Sequence, residues 1–95
     1  MTRSLIIEVT AVETLLPPGK TFLHRVFDLV GTVPIAVVRT PDLSARFDNL
    51  ADGDYTAKVT DIATDESVLS ATPPTTVTVG AEFYMASASL AFMVV

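Results

Sequence analysis

The chain has 95 residues, of which 49% are hydrophobic and 18% charged, with a formal net charge of −5 and no cysteine. That length holds one domain with one core, and the lack of cysteine excludes disulfides and thiolate metal sites. Six Lys and Arg against eleven Asp and Glu leave no footprint for nucleic-acid phosphates, so no nucleic-acid partner is expected.

A charged share below the usual one of about 25% suits a protein that hides more surface than folding alone would hide. The opening stretch MTRSLIIEVTAVE has only a three-residue apolar run before Glu8, too short for the apolar core of a secretion signal. No run approaches the roughly 18 apolar residues of a membrane span. The expectation is a chain made in the cytoplasm, with no signal peptide, no transmembrane segment and no membrane partner.

Turn residues punctuate the chain at short intervals: Pro17-Pro18-Gly19, Gly31 to Pro34, Pro41-Asp42, Asp52-Gly53, Asp65-Glu66, Pro73-Pro74 and Gly80-Ala81. Spacing near ten residues, with β-branched runs between, predicts an all-β sandwich or barrel. Residues 4–12 place Leu5, Ile7, Val9 and Ala11 on one face of a half-buried strand. Residues 21–30, TFLHRVFDLV, also fit a helix through Leu23, Val26, Phe27 and Val30, but the flanking Gly19 and Gly31 favour a strand. Residues 33–39 form a short, almost wholly apolar strand that Pro34 restricts to a sheet edge or to the strand's first residues. LSARF at 43–47 alternates and leads into FDNLADGDYTAKVTD.

There, Asn49 to Gly53 supply turn residues, and Gly53 takes a positive φ without a Cβ penalty. Tyr55, Ala57 and Val59 then share one face and Thr56, Lys58 and Thr60 the other, with a phase inversion at Asp61-Ile62 that suggests a bulge or the strand's end. VLSA at 68–71 and TTVTV at 75–79 follow. Gly80-Ala81 fits a two-residue hairpin turn into the run EFYMASASLAFMVV, whose even face from Tyr84 to Val94 is apolar. As one strand this run would reach about 46 Å at about 3.3 Å per residue. Either it bends near Ser87 to Ser89 and pairs with two neighbours, or its apolar tip reaches another subunit.

Little here carries catalysis. His24 is the sole histidine, which excludes a two-histidine metal site within one chain, and no Gly-x-Ser-x-Gly nucleophile elbow occurs. Gly19-Lys20-Thr21 lacks the earlier glycine of a phosphate-binding loop, since that position is Thr14. Asp48, Asp52 and Asp54 before the 55–60 strand, with Asp61, Asp65 and Glu66 after it, could offer oxygen to Ca²⁺, yet their spacing matches no calcium loop. They read as solvated turn acids. No catalytic, metal or cofactor-binding residue is assigned, and no enzyme activity is expected.

Leu50-Ala51-Asp52-Gly53-Asp54-Tyr55, with Thr56-Ala57-Lys58-Val59-Thr60 behind it, resembles immunoglobulin-like and fibronectin type III-like β-sandwich modules. In those families a Leu-x-x-Gly turn feeds a Tyr that opens the next strand and ties the corner, and Thr76-Val77-Thr78-Val79 resembles their final strand. The Gly-to-Tyr spacing is one residue shorter than in fibronectin type III modules, and the chain has no Trp. The resemblance implies an immunoglobulin-like antiparallel β-sandwich of about 7–8 short strands over residues 1–95, with Leu50, Gly53 and Tyr55 as its structural corner. The short turn is similar to that of small modules in phage virion proteins and bacterial adhesins. It implies a virion location and a structural, non-enzymatic role as a phage capsid decoration or other accessory protein.

On that basis residues 80–95 are expected to form a long C-terminal strand or assembly arm. Its interface candidates are Phe83, Tyr84, Leu90, Phe92, Met93 and Val95, and its partners are the protein itself, as a homo-oligomer, and a larger assembly such as a capsid. The alternative is a glycan-binding or adhesion module on a virion or cell surface, for which 7% aromatic residues and no Trp offer little platform.

Overall fold

The computed structural model describes residues 2–10, 20–30, 32–80, 82–87 and 89–95, and for Phe83 the backbone alone. The expected turns at Pro17-Pro18-Gly19 and Gly31, the positions of Ala11 and Val12, and the side chain of Phe83 fall outside it. The protein is all-β. Nine strands are described where about 7–8 were expected: β1 (Thr2–Val9), β2 (Thr21–Phe27), β3 (Pro34–Thr40), β4 (Ser44–Ala51), β5 (Gly53–Ile62), β6 (Val68–Ala71), β7 (Thr75–Val79), β8 (Phe83–Ala86) and β9 (Leu90–Val94). Among the described residues no helix is long and apolar enough to cross a membrane.

The strands form two antiparallel sheets facing one another as a sandwich. One has the order β4-β1-β9-β8; the other runs β3-β2-β5, with β6 and β7 end to end along the far side of β5. Alternation decides what is buried. Leu5, Ile7 and Val9 of β1 face Phe22 and Val26 of β2 and Ala57 and Val59 of β5 across a single core. The ambiguous stretch 21–27 is a strand because β3 and β5 hydrogen-bond it on both sides, and a helix would leave those neighbours' backbone groups without partners.

β5 is covered on both faces. Thr56 and Thr60 point away from the core yet are buried: the Thr56 hydroxyl donates to the Leu29 carbonyl at 3.1 Å, and Arg25 donates to Thr60 Oγ1 at 2.9 Å. The irregularity expected at Asp61-Ile62 is present as a register shift against β6, but the pairing with β2 runs unbroken to Ile62, so Ile62 stays on the face of Thr56 and Thr60, where it is buried outside the core. Beside it Lys20 is 8% exposed, its ammonium 2.9 Å from Asp61 and 5.2 Å from the Phe22 ring centroid.

β4 needs one irregularity. Ala45 and Phe47 are buried two residues apart, but the next buried residue, Leu50, is three further on, which strict alternation forbids. The register against β1 shifts between Arg3 and Leu5, and Asn49, in the bulged segment, takes a φ of 62°. Asn tolerates this left-handed backbone better than most residues. Asn49→Gly should therefore keep or raise stability in urea unfolding, whereas Asn49→Val should lower it by about 1–2 kcal/mol.

Candidate functional site

Leu50, Gly53 and Tyr55 flank the passage from one sheet to the other. β4 belongs to one sheet and β5 to the other, and the chain changes sheet within Ala51 to Gly53. Leu50 is buried just before the crossing. Gly53 takes a φ of 154° with open space where a Cβ would stand, so glycine is needed there for backbone freedom and not for room. Tyr55, half-buried against the core, donates its hydroxyl to the Ala51 carbonyl at 2.5 Å and closes the corner.

The C-terminal run differs from expectation. β7 pairs with β5 whereas β8 pairs with β9 in the opposite sheet, so Val79 and Phe83 end strands of different sheets and β7 and β8 do not form a hairpin; Ala81 of the expected turn lies outside the described residues. Residues 83–94 are not one long strand or arm. They fold into a β8–β9 hairpin at Ser87 to Ser89, where the Ser87 amide donates to the Leu90 carbonyl at 2.7 Å and the Leu90 amide to Ser87 Oγ at 3.0 Å. β9 lies between β8 and β1.

The turn splits the expected apolar face. Tyr84 lies opposite Met93 and Met85 opposite Phe92. Leu90 and Phe92 are therefore fully buried core, a correction to their place among the interface candidates. Burying a side chain of that size contributes about 1.5–3 kcal/mol to folding. Tyr84, Met93 and Val95 are exposed. Tyr84 and Met93, with Ile6, Glu8 and Ala91, line a shallow depression on the outer face of the sheet.

A second apolar surface, which the sequence reading did not single out, lies on β3. Ile35 and Val37 point outward at 49% and 52% exposure, and Leu29, Val30 and Val33 in the preceding connection are also exposed. Residues 29–38 contain no charged side chain, which was the available signal.

The acidic residues are engaged with neighbours. Asp48 accepts from Ser4 and Arg46, Asp52 lies 3.7 Å from Arg3, Asp54 accepts from Thr78, and Asp61 binds Lys20 and Ser70. Asp65 caps the turn at Ser67, and Glu66 pairs with Arg39. The Ser4 hydroxyl, and after it Arg46, hold the Asp48 carboxyl below its usual range; the hydroxyl and amide of Ser67 do the same for Asp65. Among the described residues no three His, Asp or Glu side chains converge on a metal-sized site.

His24 points into the core. It has no exposed surface, its Nε2 is 3.5 Å from the Asp42 carbonyl, and its Nδ1 has no partner. Burial lowers its pKa, against the smaller opposing effects of that carbonyl and of the Asp61 charge. This is a buried neutral imidazole and not a catalytic base with a substrate-facing side. The chain matches no known protein family, no curated protein and no solved structure.

Two outcomes follow from these contacts. Tyr55→Phe should cost about 0.5–1.5 kcal/mol, the net value of one such hydrogen bond, read from urea unfolding. Because the folded pKa of His24 is depressed, the unfolded chain binds more protons than the folded one below about 6.5. Stability should fall as pH drops from 7.5 towards 5, above the range where Asp48 and Asp65 protonate. His24→Gln should flatten that slope whatever its own stability, and an unchanged slope would assign the acid sensitivity elsewhere.

Proposed function

We propose that the protein is a non-enzymatic structural and interaction module that works by protein–protein contact. It self-associates and docks on a larger protein assembly, and its concrete form is a phage capsid decoration or other virion accessory protein. The observation that carries this reading is the distribution of surface: apolar side chains stand exposed at three sheet edges, Ile35 and Val37 on β3, Val68 and Leu69 on β6, and Tyr84 on β8 with Met93 beside it on β9. The carboxylates of Asp48, Asp54, Asp61, Asp65 and Glu66, by contrast, are occupied with turn and strand neighbours. Exposed apolar side chains at a sheet edge suit contact with another protein chain.

The corner at Leu50, Gly53 and Tyr55 supports the likeness to immunoglobulin-like modules, from which the virion role is drawn by analogy of fold. A glycan platform has less support, since Phe22, Phe47 and Phe92 are buried and Tyr84 alone stands well clear of the surface among the described aromatic side chains.

Sedimentation of the intact chain over a hundredfold range of concentration tests the reading. Concentration-dependent growth beyond the monomer mass is the expected result. A monomer throughout would overturn self-association and with it the argument from surplus apolar surface.

A further inference from the structure

The chain has six Lys and Arg side chains, and four of them engage a carboxylate: Arg3 with Asp52, Lys20 with Asp61, Arg39 with Glu66 and Arg46 with Asp48. The other two, Arg25 and Lys58, stand directly opposite one another on β2 and β5, the inner strands of the five-stranded sheet. Both point to its outer face, away from the core, and both are half-buried. Like charges directly opposite on a sheet are destabilising, so this pair costs the isolated chain stability.

Arg25 is held in place there. It donates to Thr60 Oγ1 at 2.9 Å, its guanidinium lies 5.3 Å from the Phe27 ring centroid, and its Nε is buried without an acceptor. Lys58 has no partner among the described residues. Leu23, Phe27 and Val37 flank the two cations on the same face. A double cation with an apolar surround fits a carboxylate that has apolar neighbours of its own.

The opposite side of the molecule carries such a group. On the outer face of the four-stranded sheet Glu8 stands between Ser44 and Ala91, without a partner among the described residues, in the depression it shares with Ile6, Tyr84 and Met93. Arg46 on that face is held by Asp48 and Ser4.

We infer that the partner is a second copy of this chain: the Glu8 face of one copy docks on the Arg25 and Lys58 face of the next. This rests on the self-association reading above and names its surfaces. Each chain carries a net charge of −5, so copies repel except where the local charge is reversed, and Arg25 and Lys58 supply that reversal. The two surfaces differ and lie on opposite sides of the sandwich. The contact is therefore head-to-tail, and copies add in succession instead of closing as a two-fold dimer.

Charge reversal on each face tests this. Lys58→Glu gives Arg25 a carboxylate within its own chain, and Glu8→Lys changes an exposed residue, so both variants should keep the wild-type far-ultraviolet spectrum and a melting temperature no lower than the wild type's. In sedimentation the wild type should populate species beyond the dimer, and each variant alone should associate at least tenfold more weakly; Glu8→Gln, which keeps the side chain's shape, should lose association too. Mixing the two reversals should give a one-to-one complex, because Glu8 of the Lys58→Glu variant still meets the intact Arg25 and Lys58 of the other. Raising salt from about 0.05 to about 0.5 M should weaken wild-type assembly by screening these charges. A reversal that associates like the wild type, or a mixture that stays monomeric, overturns this docking and leaves self-association standing. A wild type that stops at a dimer overturns the head-to-tail arrangement, and one that never leaves the monomer overturns both readings.

Discussion

Side chains on a strand alternate between two faces, and in a sandwich only one of those faces meets the core. Most of this structure is that rule obeyed: Leu5, Ile7 and Val9, then Phe22, His24 and Val26, then Ala57 and Val59, fill the space between the sheets. The shape depends on the few places where the alternation is interrupted. Asn49 inserts a bulge so that Phe47 and Leu50 both turn inward, the register of β3 against β2 shifts between Val26 and Phe27, and the turn between β8 and β9 resets the count for the last strand. Without the bulge, Leu50 would face solvent and the corner at Tyr55 would lose its buried neighbour.

The fold class was legible because β-branched alternation and glycine or proline punctuation agree over most of the chain. Pro34 correctly restricted its strand, which is both at an edge and proline-first. Two junctions were only partly legible, the one at Gly80 and the bend near Ser87 to Ser89, which the length of the last run offered as one of two alternatives. Gly80 marks a change of direction, but a tight hairpin and a crossing to the facing sheet use the same residue, and only the pairing of β7 with β5 separates them. The turn at Ser87 to Ser89 contains no Gly, Pro, Asn or Asp; the Ser87 hydroxyl accepts the Leu90 amide in place of such a residue.

That second junction explains why the surface was only partly readable. Counting alternate residues from Tyr84 through Phe92 assumes an unbroken strand, and the turn changes which of them point outward. Tyr84 and Met93 emerge together, whereas Leu90 and Phe92 go in. On β3, composition alone marked a charge-free stretch, but periodicity does not say which strand of a sheet is outermost. Sheet order supplies that.

β1 sits between β4 and β9, and its Ser4 exchanges both backbone hydrogen bonds with Val95. During synthesis the first strand is thus made long before its second neighbour, and one of its flanks stays open until the last five-residue strand has been added. Joining segments so far apart in sequence is slow relative to local pairing. Until β9 has been made, a partly synthesised chain holds β1 without the neighbour that pairs with its second hydrogen-bonding side.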